Sequence, residues 1–527
     1  MGSRKSLCCG FSALEVTLGV IFVVMTGVCI SLVVLYVTRE THADPETPPP
    51  QHTPYLIGVG RADCTGPPAD VPMMGYANPQ QTAAGIHTRL YSRAFIVDDG
   101  KRRVVFVTAD IGMVSQRLRL EVLQALQGKY GDLYRQDNVV LSLYKAHKAV
   151  CVCVCVCVCV RVFQGSFVAG FSSSNLGDVT PNTGGPYCVN TGLPCDYLNS
   201  SCPIGGTTMC LASGPGEDMF ESTRIIGHNV YLKAKELYAT AVEEVTGFIH
   251  HAHQWVNMTD VTVQINETHT VSMHTHTHAH THTHTHTHTH THTDYDVWDK
   301  QQLLTDDSGT LKDMEVVIAG LSNVYTHYIT TYEEYQLPAR ILSTCFGPIS
   351  IILLIFSILL VKHLGIPLLP AGPQPPFFTE NLFNFVPLAL FDRKPENMSF
   401  GDVLEQVHPV YRQGDVVTVT FVAGNPRNSG DIRDKTFVTV EIFDNRTETW
   451  EVVHNDASWE TRFHWLKGSN RESNATVEWQ IPPTASAGSY RIKHFGHYKE
   501  LKGLQPVITP YEGSSDVFTV TASFYYE

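Results

Sequence analysis

Residues 167–182, FVAGFSSSNLGDVTPN, are the stretch that points most directly to the fold, because an apolar run is followed here by a loop rich in polar side chains. Phe167 and Phe171 are typical of the end of a buried strand, and residues 172–175 are turn formers. Residues 177–182 combine a glycine, an acid, a hydroxyl and a proline, which suits a catalytic or binding loop at the carboxyl end of a strand. An ordinary Asx-type turn is the alternative interpretation.

The composition is that of a folded, acidic protein with more than one domain. The chain has 527 residues, of which 43% are hydrophobic and 17% charged, and its formal net charge is −14. At about 100 to 200 residues per domain, this length accommodates two or more domains. The negative charge argues against nucleic acid as a partner, because binding to phosphates needs clustered Lys and Arg.

The residues before the opening loop predict an α/β unit. An Asp-Gly turn separates two strand-like runs, Ser92–Val97 and Arg103–Thr108, and therefore predicts a β-hairpin. Ser115 can cap a helix over Gln116–Tyr130, and Asn138–Ser142 then has the composition of a buried strand. Helical spacing predicts that one face of this helix is buried through Leu118, Val122, Leu123 and Leu126.

A second helix and a β-rich region follow the loop. Glu221–Val245 predicts a long amphipathic helix with core positions at Ile226, Val230, Leu237 and Ala241. From Gly372 to Glu527, apolar and polar residues alternate between turn formers, which is typical of an antiparallel sandwich. The predicted strands are Val416–Val422, Thr436–Phe443, Ala475–Ile481, Ser489–Tyr498 and Asp516–Ala522.

The N-terminal part predicts a membrane anchor. Val16–Val37 is an uncharged apolar run about as long as the roughly 20 residues that a bilayer core requires. Arg4 and Lys5 precede it, which favours a signal anchor with residues 1–15 in the cytosol and the bulk of the chain outside. A cleaved signal peptide is the alternative. Residues 38–54 are rich in Pro and Thr and predict an extended stalk.

Two further patterns support a location outside the cytosol. Six Asn-x-Ser/Thr sequons predict glycosylation at Asn199, Asn257, Asn266, Asn397, Asn445 and Asn474. Four cysteines within 23 residues are typical of a disulfide-stapled loop in an oxidising compartment, with a zinc knuckle as the competing interpretation. These cysteines are Cys188, Cys195, Cys202 and Cys210.

Repeats interrupt the chain at two places. Cys and Val alternate from Val150 to Val160, as a translated GT repeat would, and His and Thr alternate from Met273 to Thr293, as a translated CA repeat would. We interpret both as noncoding sequence read through as exon, with metal binding by the His tract as the alternative. The apolar run Gly347–Val361 has the hydropathy of a short membrane span, but a third read-through segment explains it better.

The opening loop resembles part of a known family. SSSNLGDVTPN resembles the GDVSPN region of the neutral ceramidases, zinc-dependent amidases that cleave ceramide to sphingosine and a fatty acid. Residues 55–79, YLIGVGRADCTGPPADVPMMGYANP, resemble the start of their catalytic domain. GPQPPFF, FGDVL and NDASWETRFHW resemble their immunoglobulin-like C-terminal domain.

This resemblance implies a fold class and domain boundaries. An α/β (α+β) catalytic domain is expected at 55–336, interrupted at 143–166 and 270–313. An apolar insert at 337–371 and an all-β immunoglobulin-like sandwich at 372–527 are expected to follow.

The resemblance also implies a zinc site that this chain largely lacks. The family holds zinc with two histidines, a glutamate and a tyrosine, and only the tyrosine is present here, as Tyr328 in NVYTHY. The segment from Leu143 onward replaces the one that should carry the first histidine. At the opening motif Thr180 stands where the family has serine, keeping the hydroxyl but adding a methyl group that stiffens χ1. One ligand of four cannot hold catalytic zinc, so this exact polypeptide is predicted to be inactive.

A second ion site is implied in the C-terminal region. Asp456, Ser458 and Thr461, in DASWET, match residues that in the family bind a calcium-like ion near the domain junction. Oxygen ligands suit a hard cation such as Ca²⁺ or Mg²⁺, and a polar turn is the alternative interpretation.

The expected partners are ceramide, other sphingolipids and a membrane, with zinc as the cofactor and no nucleic acid. The expected location is the plasma membrane, as a single-pass type II protein with an extracellular catalytic domain; the Golgi and secretion are alternatives. A non-catalytic, membrane-anchored glycoprotein with a lipid-binding or adhesive ectodomain is the competing function. Transcript sequence across 142–167 and 269–314 would discriminate between the two.

Overall fold

The fold is described from a computed structural model, which covers the following parts of the chain: 55–73, 81–143, 167–173, 181–196, 200–242, 244, 247–251, 253, 255, 260–266, 269–274, 319, 321–325, 328–329, 345–346, 373–375, 377 and 386–522. The elements below belong to one compact unit, residues 55–244 and 248–527.

The described residues form two helices longer than one turn and a series of strands. The helices are α1 (Gln116–Tyr130) and α2 (Met219–Thr240). The strands are β1 (Leu56–Asp63), β2 (Ala69–Pro72), β3 (Thr82–Ile86), β4 (Tyr91–Asp98), β5 (Arg103–Ala109), β6 (Val139–Leu143), β7 (Gly185–Cys188), β8 (Cys210–Ser213), β9 (Asp260–Asn266), β10 (His269–His274), β11 (Tyr328–Ile329), β12 (Cys345–Phe346), β13 (Val403–Glu405), β14 (Val410–Arg412), β15 (Val416–Ala423), β16 (Val438–Asp444), β17 (Thr449–Asn455), β18 (Thr461–Lys467), β19 (Ser473–Gln480), β20 (Gly488–Lys502), β21 (Gln505–Ser514) and β22 (Phe518–Thr521).

A mixed four-stranded sheet, in the order β1-β4-β5-β6, confirms the predicted α/β unit. β4 and β5 form the predicted antiparallel hairpin, and the Asp99 carboxylate accepts the backbone N–H groups of Lys101 and Arg102 in its turn. β6 then lies parallel to β5, with Thr108 opposite Ser142. Because parallel strands need a crossover connection, α1 fills that role between them.

Helix α1 has the predicted bounds and most of the predicted buried face, because Leu123 lies in the apolar core and Val122 and Leu126 pack against it. The Ser115 hydroxyl accepts the Leu118 N–H at 3.1 Å, which confirms the cap. Leu123 is buried as predicted, but Leu118 is exposed, so its assignment to the core is wrong. The buried position one residue on is Arg119, whose Nη2 donates to the Gln136 carbonyl at 3.2 Å. Because Arg119 is charged, the apolar periodicity of the sequence did not predict that it is buried.

Helix α2 is shorter than predicted and buries a different stripe. Asp218 caps it by accepting the N–H groups of Phe220 and Glu221, both at 2.7 Å. The buried residues, spaced four apart, are Thr223, Gly227 and Tyr231. Leu237 is exposed and Ala241 lies at the helix end, so the prediction that both belong to the core is wrong.

Two further sheets make up the C-terminal part. One has the order β13-β15-β19-β18-β3-β2, and the other has the order β14-β22-β20-β16-β17 with β21 paired to β20. The five predicted strands are confirmed as β15, β16, β19, β20 and β22. Inward side chains of the two sheets form a single apolar cluster that includes Phe421, Phe463, Trp479, Tyr490 and Phe518. The immunoglobulin-like assignment of this region stays a prediction.

The first of these sheets is completed by residues from the N-terminal part of the chain. β3 pairs antiparallel with β18 through Ile86–Phe463 and Gly85–His464. Gly85 has φ +152°, and a Cβ there would lie 1.9 Å from the Phe463 carbonyl oxygen. Only glycine permits this approach. One sheet therefore runs across the boundary that the sequence placed between 55–336 and 372–527.

Several predicted segments lie outside the described residues. These are the anchor Val16–Val37, the stalk at 38–54, the Cys-Val repeat, most of the His-Thr repeat and the apolar run Gly347–Val361. Among the residues that the structure does describe, neither helix has the length and apolar character needed to cross a membrane.

Candidate active site

The polar residues of the opening stretch lie at the carboxyl edge of the parallel pair β5–β6. Ser173 donates its N–H to the Leu143 carbonyl at 3.0 Å, and the Thr108 hydroxyl donates to the Phe171 carbonyl. Gly170 allows this approach, because a Cβ there would lie 2.7 Å from Thr108 Cγ2. Ligand sites in sheets with parallel strands lie beyond the carboxyl ends of those strands.

A buried cluster of hydroxyl groups joins three chain segments at this edge. The Ser142 side chain is 1% exposed, and its hydroxyl is hydrogen-bonded to those of Ser172 and Ser322, the latter at 2.9 Å. Beside it, Asn323 accepts the Leu141 N–H with Oδ1 at 3.0 Å and donates its own N–H to the Leu141 carbonyl at 2.6 Å. The segment that leads to GDVTPN and the segment that leads to NVYTHY are thus fixed to the same strand.

The structure leaves the two predicted residues on those segments without a described side chain. Thr180 lies outside the described residues, and Tyr328 is described only as the backbone of β11, which pairs parallel with β12. Their roles stay predictions. Just after Thr180, Asn182 accepts the Gly185 N–H with its carbonyl at 3.0 Å, so GDVTPN leads directly into strand β7.

The four predicted cysteines form two disulfides, which confirms the disulfide interpretation over the zinc knuckle. The bonds join Cys188 to Cys202 and Cys195 to Cys210. The bonded cysteines are 14 and 15 positions apart in the sequence. The first cysteine is bonded to the third and the second to the fourth, so the two closed segments overlap.

The described residues do not fit a catalytic zinc. Among them, the single group of His, Cys, Asp or Glu side chains close enough to share an ion is Cys188, Cys195 and Cys202, whose sulfurs are bonded in disulfides. His87 packs against Trp459, and its Nε2 lies 3.2 Å from that residue's carbonyl oxygen. Burial lowers the pKa of His87 to about 4, as expected of a packed neutral imidazole.

The predicted cation ligands all make hydrogen bonds within the protein. Asp456 is buried and accepts Nε and Nη2 of Arg89 at 3.0 and 2.7 Å. The Ser458 hydroxyl accepts the Asn455 N–H at 3.1 Å, and the Thr461 hydroxyl donates to the Ser458 carbonyl at 3.0 Å. The calcium-like site stays a prediction, in which an ion would compete with the guanidinium for Asp456.

Arg89 is a buried residue that the sequence did not single out. Besides Asp456, it donates to Asp63 at 3.3 Å and to the backbone carbonyls of Ile432 and Lys435 at 2.9 and 2.7 Å. Burial opposes its charge, but the hydrogen bond and charge of Asp456 hold the pKa of Arg89 above its usual range. This arginine links the N-terminal part of the unit to the β-sandwich.

The predicted glycosylation sites differ in their accessibility. Asn397 and Asn445 are exposed, and Asn474 is half-buried in β19. Asn266 is described only as backbone in β9, and Asn199 and Asn257 lie outside the described residues. Modification of all six stays a prediction.

The hydroxyl cluster was also missed by sequence reasoning. Its signal was present, since the runs VVFVT and NVVLS both end on a hydroxyl residue, Thr108 and Ser142. The sequence does not show that these two residues sit side by side on parallel strands.

Comparison with known proteins shows the family of the chain. The N-terminal family model of neutral/alkaline non-lysosomal ceramidase matches residues 55–159 and 158–296, and the C-terminal model of the same family matches residues 359–520. The chain belongs to this ceramidase family. Members of the family are amidohydrolases that act on ceramide.

Ceramidase relatives match over most of the chain. It is 28% identical to the neutral ceramidase of Drosophila melanogaster, covering 88% of this chain and 96% of the fly protein. It is 27% identical to neutral ceramidase 3 of Arabidopsis thaliana, with 88% and 96% covered. Among solved structures, the neutral ceramidase of Pseudomonas aeruginosa superposes with a TM-score of 0.64 at 23% identity, covering 89% of this chain and 100% of that one.

These matches contain breaks. The alignment with the fly ceramidase extends over 683 positions, more than the 527 residues of this chain, so the fly protein has internal segments without a counterpart here. The N-terminal family model matches in two pieces that meet at residues 158–159, inside the Cys-Val repeat. Residues 297–358 lie outside both matched regions.

Proposed function

We propose that this chain derives from a gene for a zinc-dependent ceramidase, which hydrolyses the amide bond of ceramide to sphingosine and a fatty acid, and that the polypeptide as written does not catalyse this reaction. Membership of the ceramidase family carries the first half of the proposal. The second half rests on the missing zinc ligands, and the breaks in the family match support it.

The chemistry explains why the missing ligands matter. Amide hydrolysis at neutral pH requires an activated water, and zinc supplies one by lowering the pKa of bound water to about 7. Of the four ligands that the family resemblance implies, Tyr328 alone has a counterpart in the sequence. Because a catalytic zinc needs three protein ligands, Tyr328 alone cannot hold the zinc that would activate the water.

What the chain retains is the scaffold around the site. Ser142, Ser172 and Ser322 fix the two site-bearing segments to the carboxyl edge of β6. Thr180 keeps a hydroxyl where the family has serine, so it can donate a hydrogen bond, with its added methyl group narrowing the site.

The test compares the chain as written with a repaired chain. In the repaired chain, residues 143–166, 270–313 and 337–371 are replaced by the aligned segments of the fly ceramidase. With labelled ceramide and zinc, the original should release no fatty acid above background, whereas the repaired chain should show hydrolysis that a chelator abolishes. Zinc-supported release by the original chain would overturn the proposed inactivity. No activity in the repaired chain would count against the ceramidase origin.

The proposal includes a location at the plasma membrane, as a type II protein with its globular part outside the cell. The two disulfides support an oxidising compartment. Protease protection of the N-terminus in intact cells, with digestion of the remainder, tests this orientation.

The competing function is a membrane-anchored glycoprotein without catalysis. Sequencing the transcript across residues 142–167 and 269–314 separates the two. Recovery of coding segments with the two zinc histidines and the glutamate selects the enzyme, whereas a transcript that carries both repeats selects the glycoprotein.

A further inference from the structure

We propose that the disulfide-bonded segment Gly184–Ser213, here called the cystine loop, rests in the surface of a lipid bilayer and holds the protein at the membrane that contains its substrate. This inference rests on the proposed ceramidase function, since ceramide is a membrane lipid. It concerns a surface outside the predicted zinc site.

The first observation is a concentration of exposed apolar side chains on this loop. Five large hydrophobic residues are 39% to 65% exposed, namely Tyr187, Val189, Leu193, Ile204 and Leu211. Tyr187 and Leu211 lie directly opposite each other in the β7–β8 pair, so they share one face. Exposed apolar side chains that share a face, as Tyr187 and Leu211 do, are typical of interaction surfaces.

The second observation is the near absence of charge. The 30 residues of the cystine loop contain one charged side chain, Asp196, although 17% of the whole chain is charged. Charged groups are costly to bring into the bilayer interface, whereas tyrosine and aliphatic side chains are favoured there.

The third observation is that the loop satisfies much of its own backbone. Cys188 donates its N–H to the Leu193 carbonyl at 2.8 Å, Val189 to Met209 at 3.0 Å, and Gly192 to Cys188 at 2.7 Å. Backbone groups without partners would oppose entry into an apolar environment. The disulfides hold this arrangement before contact, so little conformational entropy is lost on binding.

The position of the loop suits delivery of a lipid to the site. It begins two residues after Asn182 of GDVTPN, and Gly184 donates its N–H to the Ser213 carbonyl at 2.9 Å, which closes the loop at its base. The chain then enters α2 through a turn in which the Gly216 N–H donates to the Ser222 hydroxyl at 3.1 Å. The base of the loop is therefore joined directly to the predicted active-site segment on one side and to α2 on the other.

A bilayer explains this surface better than a protein partner does. Binding hot spots between proteins are enriched in Trp, Tyr and Arg, with Leu and Val under-represented. The cystine loop has no Trp or Arg, and four of its five exposed apolar side chains are aliphatic.

The test uses the full chain reconstituted in liposomes of brominated phosphatidylcholine, which quenches tryptophan fluorescence inside the bilayer. Tryptophan replaces Leu193 in one variant and Leu504, an exposed residue in the turn between β20 and β21, in the control. Relative to the unsubstituted protein, the added fluorescence of L193W should be quenched at least about twofold more than that of L504W. I204W serves as a second probe and should behave like L193W.

Equal quenching at positions 193 and 504, or none at 193 and 204, would overturn the proposal. Because the measurement involves no hydrolysis, its failure is distinguishable from failure of the proposed ceramidase origin. The sequon at Asn199 provides an independent check, since a glycan there would hold the loop in water. Insertion of the loop and the glycosylation that the sequon predicts at Asn199 exclude each other. Mass spectrometry of the peptide should find Asn199 unmodified, and a glycan at this position would overturn the proposal.

Discussion

Replacing Arg89 with methionine should destabilise the protein by about 3–5 kcal/mol, the usual cost of removing one partner from a buried ion pair. Arg89 and Asp456 are 4% and 3% exposed, and the substitution leaves the carboxylate with the Phe437 N–H, at 2.8 Å, as its described hydrogen-bond donor. The carbonyls of Ile432 and Lys435 also lose donors. At roughly 2–4 °C per kcal/mol for a region of 150–250 residues, the melting temperature should fall by about 10 °C.

Scanning calorimetry and guanidinium unfolding monitored by tryptophan fluorescence both measure this effect, because Trp465 and Trp479 lie in the sandwich core. The matched control is Arg433→Met. Arg433 pairs with Asp431 on the surface, where the two side chains are 63% and 58% exposed. Such a pair contributes about 0–1 kcal/mol. If R89M and R433M shift the unfolding midpoint equally, the assignment of Arg89 as a link between the two parts of the fold is wrong.

The same variant tests the predicted cation site. In R89M the Asp456 carboxylate is free of its guanidinium partner, and Ser458 and Thr461 follow it by two and five residues in the sequence. If these residues bind Ca²⁺, millimolar Ca²⁺ should restore part of the lost stability in R89M and none in R433M. Without a calcium-dependent recovery, the polar-turn interpretation stands.

Three further results are expected. Burial lowers the pKa of His494 from its ordinary value of 6.5 to about 4. The neutral side chain therefore contributes its full stability above about pH 6.5, and this stability is lost as the pH falls towards 4. Denaturant titrations should show a loss of up to about 1.4 kcal/mol per pH unit in this window. Gly85→Ala places a Cβ 1.9 Å from the Phe463 carbonyl oxygen at a residue with positive φ. It should lower the free energy of unfolding by about 1–3 kcal/mol or more, measured by thermal unfolding. Replacing Cys188 and Cys202 with alanine opens one disulfide and should cost about 3 kcal/mol, measured in the same way.

Each of these has a control. His494→Gln should reduce the slope of stability against pH between 4 and 6.5, and an unchanged slope would mean that other groups dominate. Gly112→Ala, at a glycine with open space around its Cβ position and no positive φ, should stay within about 0.5 kcal/mol of the parent; a similar loss in both alanine variants would remove the steric argument. Alkylation before reduction should leave Cys195 and Cys210 unlabelled in the double alanine variant, and their labelling would contradict the assigned pairing.

Local patterns in the sequence were sufficient to predict several elements. The Asp-Gly turn predicted the β4–β5 hairpin, and Ser115 predicted the start of α1 to the residue, because both depend on backbone preferences within a few positions. Alternation of period two similarly located the main sandwich strands. The buried faces of the helices were harder to predict from the sequence, because the burial of Leu118 or Leu237 depends on the segments that pack against each helix.

For the site, the sequence predicted which residue types take part, and the fold determined which side chains contact each other. GDVTPN, the four cysteines and the family resemblance were evident from the sequence, and the lack of most zinc ligands is predicted from it. The sequence alone left the cysteines with three possible pairings and did not indicate that Ser142, Ser172 and Ser322 meet.

The role of GDVTPN in a ceramidase site stays a prediction, whereas the prediction of a disulfide-stapled loop from the four cysteines is confirmed. The tertiary structure alone decided that Arg89 reaches Asp456 across 367 residues, that β3 completes the β-sandwich sheet, and that the cystine loop exposes its apolar side chains. The physical reason is that turns, caps and strand periodicity arise from neighbouring residues. Ion pairs, sheet order and burial depend on segments brought together only when the whole chain folds.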